Sequence, residues 1–153
     1  MPSATAAPEL LQPPSLPAAA RRLGYAGAAP LVLGALLVWM VDADVRPYAA
    51  LGLSAYAALI ASFLGGLHWG LAMREVNLPP SAFAWAVLPT LVAWPAVLMP
   101  PRGGLVVLGA LLVGCYLVDR RHYPAYGVAH WLTLRFRLSA VAALSCFIGA
   151  GGT

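Results

Sequence analysis

Nine basic residues, five carboxylates and three histidines carry the charge chemistry of this 153-residue chain, and every basic residue is an arginine. His68 stands out because it sits in an apolar string, Ser62-Phe-Leu-Gly-Gly-Leu-His-Trp-Gly70. An ionisable side chain inside a membrane-length apolar run is costly and marks a functional candidate; the alternative is a structural histidine, neutral and hydrogen-bonded to a neighbouring helix. Asp119, His122 and His130 fall in a polar, aromatic run, Asp119 to Trp131. With Arg74, Glu75, Arg120, Arg121, Arg135 and Arg137, they are expected at the membrane level of His68. A solvated, headgroup-contacting loop explains much of that gathering. The chemistry left to consider is a proton or ion relay between His68 and Asp119.

Other chemistries find little purchase. Metal ligation calls for His, Cys or carboxylate at regular spacing, and no His-x-x-Glu, Cys-x-x-Cys or His-x3-His pattern occurs. Haem calls for paired histidines at matched depth, and His68 has no clear partner. Ser54, Ser62, Ser139 and Ser145 lie in apolar runs without a nucleophile-elbow sequence, and a phosphate-cradling glycine loop is absent. The sequence offers no catalytic and no metal-binding residue set, and it points to no cofactor.

The elements that position these groups must be membrane helices. Hydrophobic residues make up 61% and charged ones 9%, against roughly a quarter charged in a soluble domain. The apolar blocks do not alternate as barrel strands do, and only helices or a closed barrel satisfy their backbone in hydrocarbon. The expected fold is an all-α integral membrane protein, a compact bundle of about five transmembrane helices. The spans are expected near 23–41, 48–73, 81–99, 103–118 and 132–150, after a disordered Pro/Ala-rich tail over 1–20. Pro89 and Pro95 predict a kink in the third. Arginines at 21, 22, 74, 120, 121, 135 and 137 fall on one side and those at 46 and 102 on the other. That bias predicts a cytoplasmic N-terminus and an external C-terminus. The arginines punctuate the spans instead of forming a patch, so the net charge of +4 does not signal nucleic-acid binding. Cys115 and Cys146 are expected at opposite ends of their spans and therefore unpaired.

Within the second span, Ala58, Ser62, Gly66 and Gly70 recur every fourth residue. Such a stripe of small side chains lets helix backbones approach closely in a membrane, and it is read here as a packing face. The second helix is expected at the centre of the bundle. The partner could be another helix of this chain, a second copy in a homo-oligomer, or another membrane protein.

The strings Tyr25-Ala-Gly-Ala-Ala-Pro30, Ser62 to Gly70, Leu88-Pro-Thr-Leu-Val-Ala-Trp94, Asp119 and Leu134-Arg135 together resemble the domain-of-unknown-function 3429 family, the transmembrane-protein-69-like proteins. The resemblance covers about residues 21–150. It implies a small multi-span membrane protein with no established activity, and it places His68, Trp69, Asp119 and Arg135 on the family's motifs as candidate ligand-binding residues. At His130-Trp131 this chain departs from the expected Trp-Tyr-type pair, so no role is carried onto His130. Two readings of function stay open. One is a non-catalytic accessory or assembly subunit packing against another membrane protein. The other is a small-molecule binder, or a proton or solute transporter, with a site at the cytoplasmic face around His68, Asp119 and Arg135. The Ala- and Arg-rich, Lys-free composition suggests a bacterial cytoplasmic membrane, or a mitochondrial inner membrane if the source is eukaryotic.

Overall fold

A computed structural model describes residues 16–74 and 80–153. Residues 1–15, most of the expected tail, and residues 75–79 lie outside the described part. Five helices follow in order: α1 (Ala18–Met40), α2 (Arg46–Ala72), α3 (Pro80–Leu98), α4 (Pro101–His122) and α5 (Leu132–Gly151), with a 3-10 turn, Ala129–Trp131, leading into α5. Four of these, with the 3-10 turn joined to α5, are long and apolar enough to cross a membrane; the fifth, α3, has a shorter apolar stretch, Phe83–Leu98.

The ends follow local chemistry. The Asp42 carbonyl accepts the Val45 and Arg46 amides at 3.1 and 2.9 Å, closing the turn between α1 and α2. Pro47 and Pro101 open α2 and α4, where a missing N–H costs nothing. Pro89 and Pro95 lie inside α3, which remains helical through both. Two expected boundaries move. Ala18 to Ala20 belong to α1 and not to the tail. Asp119 to His122, expected in the linker, form the last turn of α4, where Arg120, Arg121 and His122 suit the negative end of the helix dipole. Beyond it, Gly127 adopts a left-handed φ of 70°, a conformation glycine takes without steric cost, and the chain turns back toward α5.

Alanines and glycines fill the interior alongside buried leucines. Ala35, Ala50, Ala57, Ala61, Ala93 and Ala142 are buried, while Leu33, Leu59, Phe63, Leu91 and Leu144 face outward. In a bilayer, expelling water does not drive helices together, so close packing of small side chains must. At Gly65 on α2 the fit is tight enough that a β-carbon would collide with the Ala86 carbonyl of α3; at Gly104 on α4 one would meet the Ala96 carbonyl. Helix α2 packs against every other long helix, so it sits centrally. Trp39 Nε1 donates to the Ile148 carbonyl at 2.9 Å and ties α1 to α5. Cys115 and Cys146 are buried free thiols.

Candidate functional site

The buried face of α2 carries Ala61, Gly65, His68 and Ala72 in helical register. Asp119 comes from the last turn of α4 and Arg135 from the first turn of α5. The three meet around one carboxylate. His68 Nε2 donates to Asp119 Oδ1 at 2.6 Å. Arg135 donates to Oδ2 from Nε at 2.8 Å and also from Nη2. Asp119 is 1% exposed, His68 7% and Arg135 9%. A carboxylate this deep requires a counter-charge and full hydrogen bonding, and here both oxygens are occupied. The His68 ring therefore presents its Nε2–H to Asp119, with the Nδ1 edge turned elsewhere.

Around this cluster lie two residues from the end of α4. The His122 ring, on an exposed residue, meets His68 edge-on with centroids 6.2 Å apart. The buried Tyr123 ring lies 6.1 Å from it. Burial pushes the Tyr123 phenol above its ordinary value, with the Arg135 charge opposing, so it remains a protonated donor across the physiological range.

Arg135 and Tyr123 also form part of the wall of a cavity of about 690 Å³ between α1, α2 and α5, within the range of about 300–1,000 Å³ common for ligand sites. Its wall is mostly apolar, with Leu31, Leu64 and Leu138 on the inner side and the exposed Leu23 and Phe63 at its open edge. Small residues on α1 and α2 leave it room. The two helices are close where Gly34 meets Leu53, and Tyr56 Oη donates to the Gly27 carbonyl at 2.9 Å. Beyond that, Gly27, Gly66 and Gly70 each face open space.

One polar wall residue is anomalous. Ser62 and Ser145 satisfy their hydroxyls by donating one turn back, to the Ala58 carbonyl at 3.0 Å and the Val141 carbonyl at 2.8 Å. Ser139, 6% exposed and on the cavity wall, has a buried Oγ with no hydrogen-bond partner.

Of the candidate ligand-binding residues, His68, Asp119 and Arg135 come together. Trp69 does not join them: it is half-exposed and packs edge-on against Phe83 of α3, with centroids 5.2 Å apart. His130 packs against Trp131, 5.9 Å between centroids, outside the cluster. In the small-residue stripe, Ala58 and Ser62 are half-buried, while Gly66 and Gly70 line the cavity and meet no other helix among the described residues. Ser139 and Tyr123 gave no signal in the sequence beyond being, respectively, a serine in an apolar run and a tyrosine in the polar, aromatic run that follows Asp119. Among the described residues there is no group of three or more His, Cys, Asp or Glu able to hold a metal ion.

Comparison with known proteins places this arrangement in a family. The family described as Protein of unknown function (DUF3429) matches residues 16–151. Transmembrane protein 69 of Xenopus tropicalis is 35% identical over 140 residues, an alignment covering 84% of this chain and 52% of that protein. The chain thus spans about half the length of this relative. No solved structure matches it. With a match running from just before α1 to the end of α5, the chain belongs to the DUF3429 family of membrane proteins.

Proposed function

We propose that this protein is a non-catalytic binding protein that takes an amphipathic small molecule from the bilayer into the cavity between α1, α2 and α5. The observation that carries this reading is Arg135, which holds Asp119 with one edge while lining the apolar cavity. Two of the five N–H donors of a guanidinium go to the carboxylate, leaving the rest for a ligand. A charged side chain anchored in this way is a preorganised polar contact at the end of an apolar slot. A catalytic role finds less support, because both Asp119 oxygens are already occupied. Proton transfer across the membrane finds less still. From Asp119 toward the far end of α4 the core is Cys115, Leu112, Leu108 and Leu105, with no titratable chain to follow.

The arginine distribution would put the cavity on the cytoplasmic side, in a bacterial cytoplasmic membrane or its mitochondrial counterpart. The test is purification in a mild detergent followed by native mass spectrometry. A small amphiphile retained by the wild type and lost from Gly66→Leu, which fills the slot, is the expected result. A preparation that carries none, with Gly66→Leu indistinguishable from wild type, would overturn the reading.

A second reading is an accessory subunit that seats a helix of another membrane protein on the Gly66–Gly70 face. The unfilled space at both glycines favours it. A stoichiometric protein partner in the same spectra, lost from Gly70→Leu, would support it.

A further inference from the structure

The chemistry of the cavity wall narrows the ligand, provided the binding reading above holds. Every polar side chain on that wall is a donor: Arg135, Tyr123, Ser139, Trp131 and, near the mouth, Arg74; no carboxylate is among the lining residues. Asp119 stands behind Arg135 and outside the wall, with its charge spent on Arg135 and His68. The Tyr123 and Ser139 hydroxyls can also accept, but two arginines and no carboxylate on the wall favour an anionic head group. The Ser139 hydroxyl is buried and has no partner among the described residues, so an acceptor that reached it would be favoured. It lies one helical turn, about 6 Å, deeper than Arg135. The ligand therefore needs two acceptor groups at different depths: an anionic one at Arg135 and Tyr123, and a neutral one at Ser139.

The remaining dimensions set the tail. Wall residues run from Ala20 to Leu31 on α1, about 17 Å along the helix or about half a hydrocarbon core. A methylene fills about the same volume as a water in liquid, about 30 Å³, so 690 Å³ holds on the order of twenty heavy atoms. That accommodates one acyl chain and its head.

We infer that the cavity binds a single-chain anionic lipid of the monoacyl glycerophosphate class, its phosphate on Arg135 and Tyr123 and its ester carbonyl accepting from Ser139. Gly27, Gly66 and Gly70 give the chain its path, because side chains at those positions would occupy the slot.

The test uses the full-length protein in detergent and measures affinity for a set of amphiphiles sharing one chain length. The set comprises a monoacyl glycerophosphate, its choline ester, the uncharged monoacylglycerol, and an alkyl phosphate with no ester carbonyl. The monoacyl glycerophosphate is expected to bind at least about tenfold more tightly than the choline ester and the monoacylglycerol, the scale of one charge-assisted hydrogen bond. Ser139→Ala should remove the advantage of the monoacyl glycerophosphate over the alkyl phosphate, about two- to tenfold, and leave the alkyl phosphate unchanged. Because Ser139 holds nothing else in the fold, this variant reads the head group without disturbing the Asp119 cluster. Equal binding of charged and uncharged members, still abolished by Gly66→Leu, overturns the anionic assignment and leaves the binding reading standing. Binding of none of them, or binding indifferent to Gly66→Leu, overturns both.

Discussion

The two halves of this bundle are built on opposite rules. Toward the C-terminal end of α1, Val38, Ala50, Leu53, Leu105, Leu108 and Cys146 interlock with almost no exposure, and a β-carbon at Gly149 would already crowd Leu53. Toward its N-terminal end, the same helices line a cavity and surround a buried carboxylate, an arginine and a histidine. One half is dry and filled; the other combines charge with open space. Natural cores leave few voids larger than a water molecule, and here a large opening lies beside the buried ion cluster. Neighbouring glycines on α2 show the contrast at its smallest. Gly65 lets α3 touch the backbone, while Gly66, one residue on, keeps a space open.

The strongest way to break the polar half is Asp119→Ala. It strands Arg135 without its counter-charge, and a loss of about 3–5 kcal/mol is expected, read as a fall in midpoint of thermal unfolding in detergent. The dry half should yield less to a single truncation. Leu108→Ala leaves a cavity, but the bilayer is as apolar as leucine, so the packing term dominates and about 2–3 kcal/mol is expected in the same assay. Gly65→Ala forces α3 away from α2 and should cost about 1–2 kcal/mol. Gly66→Ala meets nothing and should lie within about 0.5 kcal/mol of wild type. If Gly65→Ala and Gly66→Ala proved equally damaging, the distinction between a packing glycine and a cavity glycine would fail.

Much of the fold was legible because a membrane tolerates so few patterns: long apolar runs, arginines and prolines between them, and no alternation. His68 was legible as a candidate for the same reason, since an imidazole in such a run is rare. What joins it was less so. His68 and Asp119 are 51 residues apart, and Asp119 and Arg135 16 apart, and no local period links them. The span of α4 was drawn to end where apolarity ends, yet hydrogen bonding carries the helix on through His122, which turns Asp119 from a loop residue into a buried one. The stripe from Ala58 to Gly70 announced small side chains facing one direction, but nothing in the chain order says whether that direction holds a helix or a space. Ser139 was invisible for a different reason: serines in apolar helices usually donate one turn back, and only the three-dimensional neighbourhood reveals one that does not.

The sharing of one carboxylate among α2, α4 and α5 also bears on how the protein is made. Helices enter the membrane in the order they are synthesised, so α2 arrives carrying His68 well before Asp119 exists, and Asp119 waits in turn for Arg135. An isolated ionisable group at the helix centre costs about 2.5–3.5 kcal/mol to insert, less near the interface. Until α5 is in place, the early helices hold polar groups whose partners are still on the ribosome. A chain truncated before Arg135 would therefore leave Asp119 without its counter-charge, so the last helix completes the cluster.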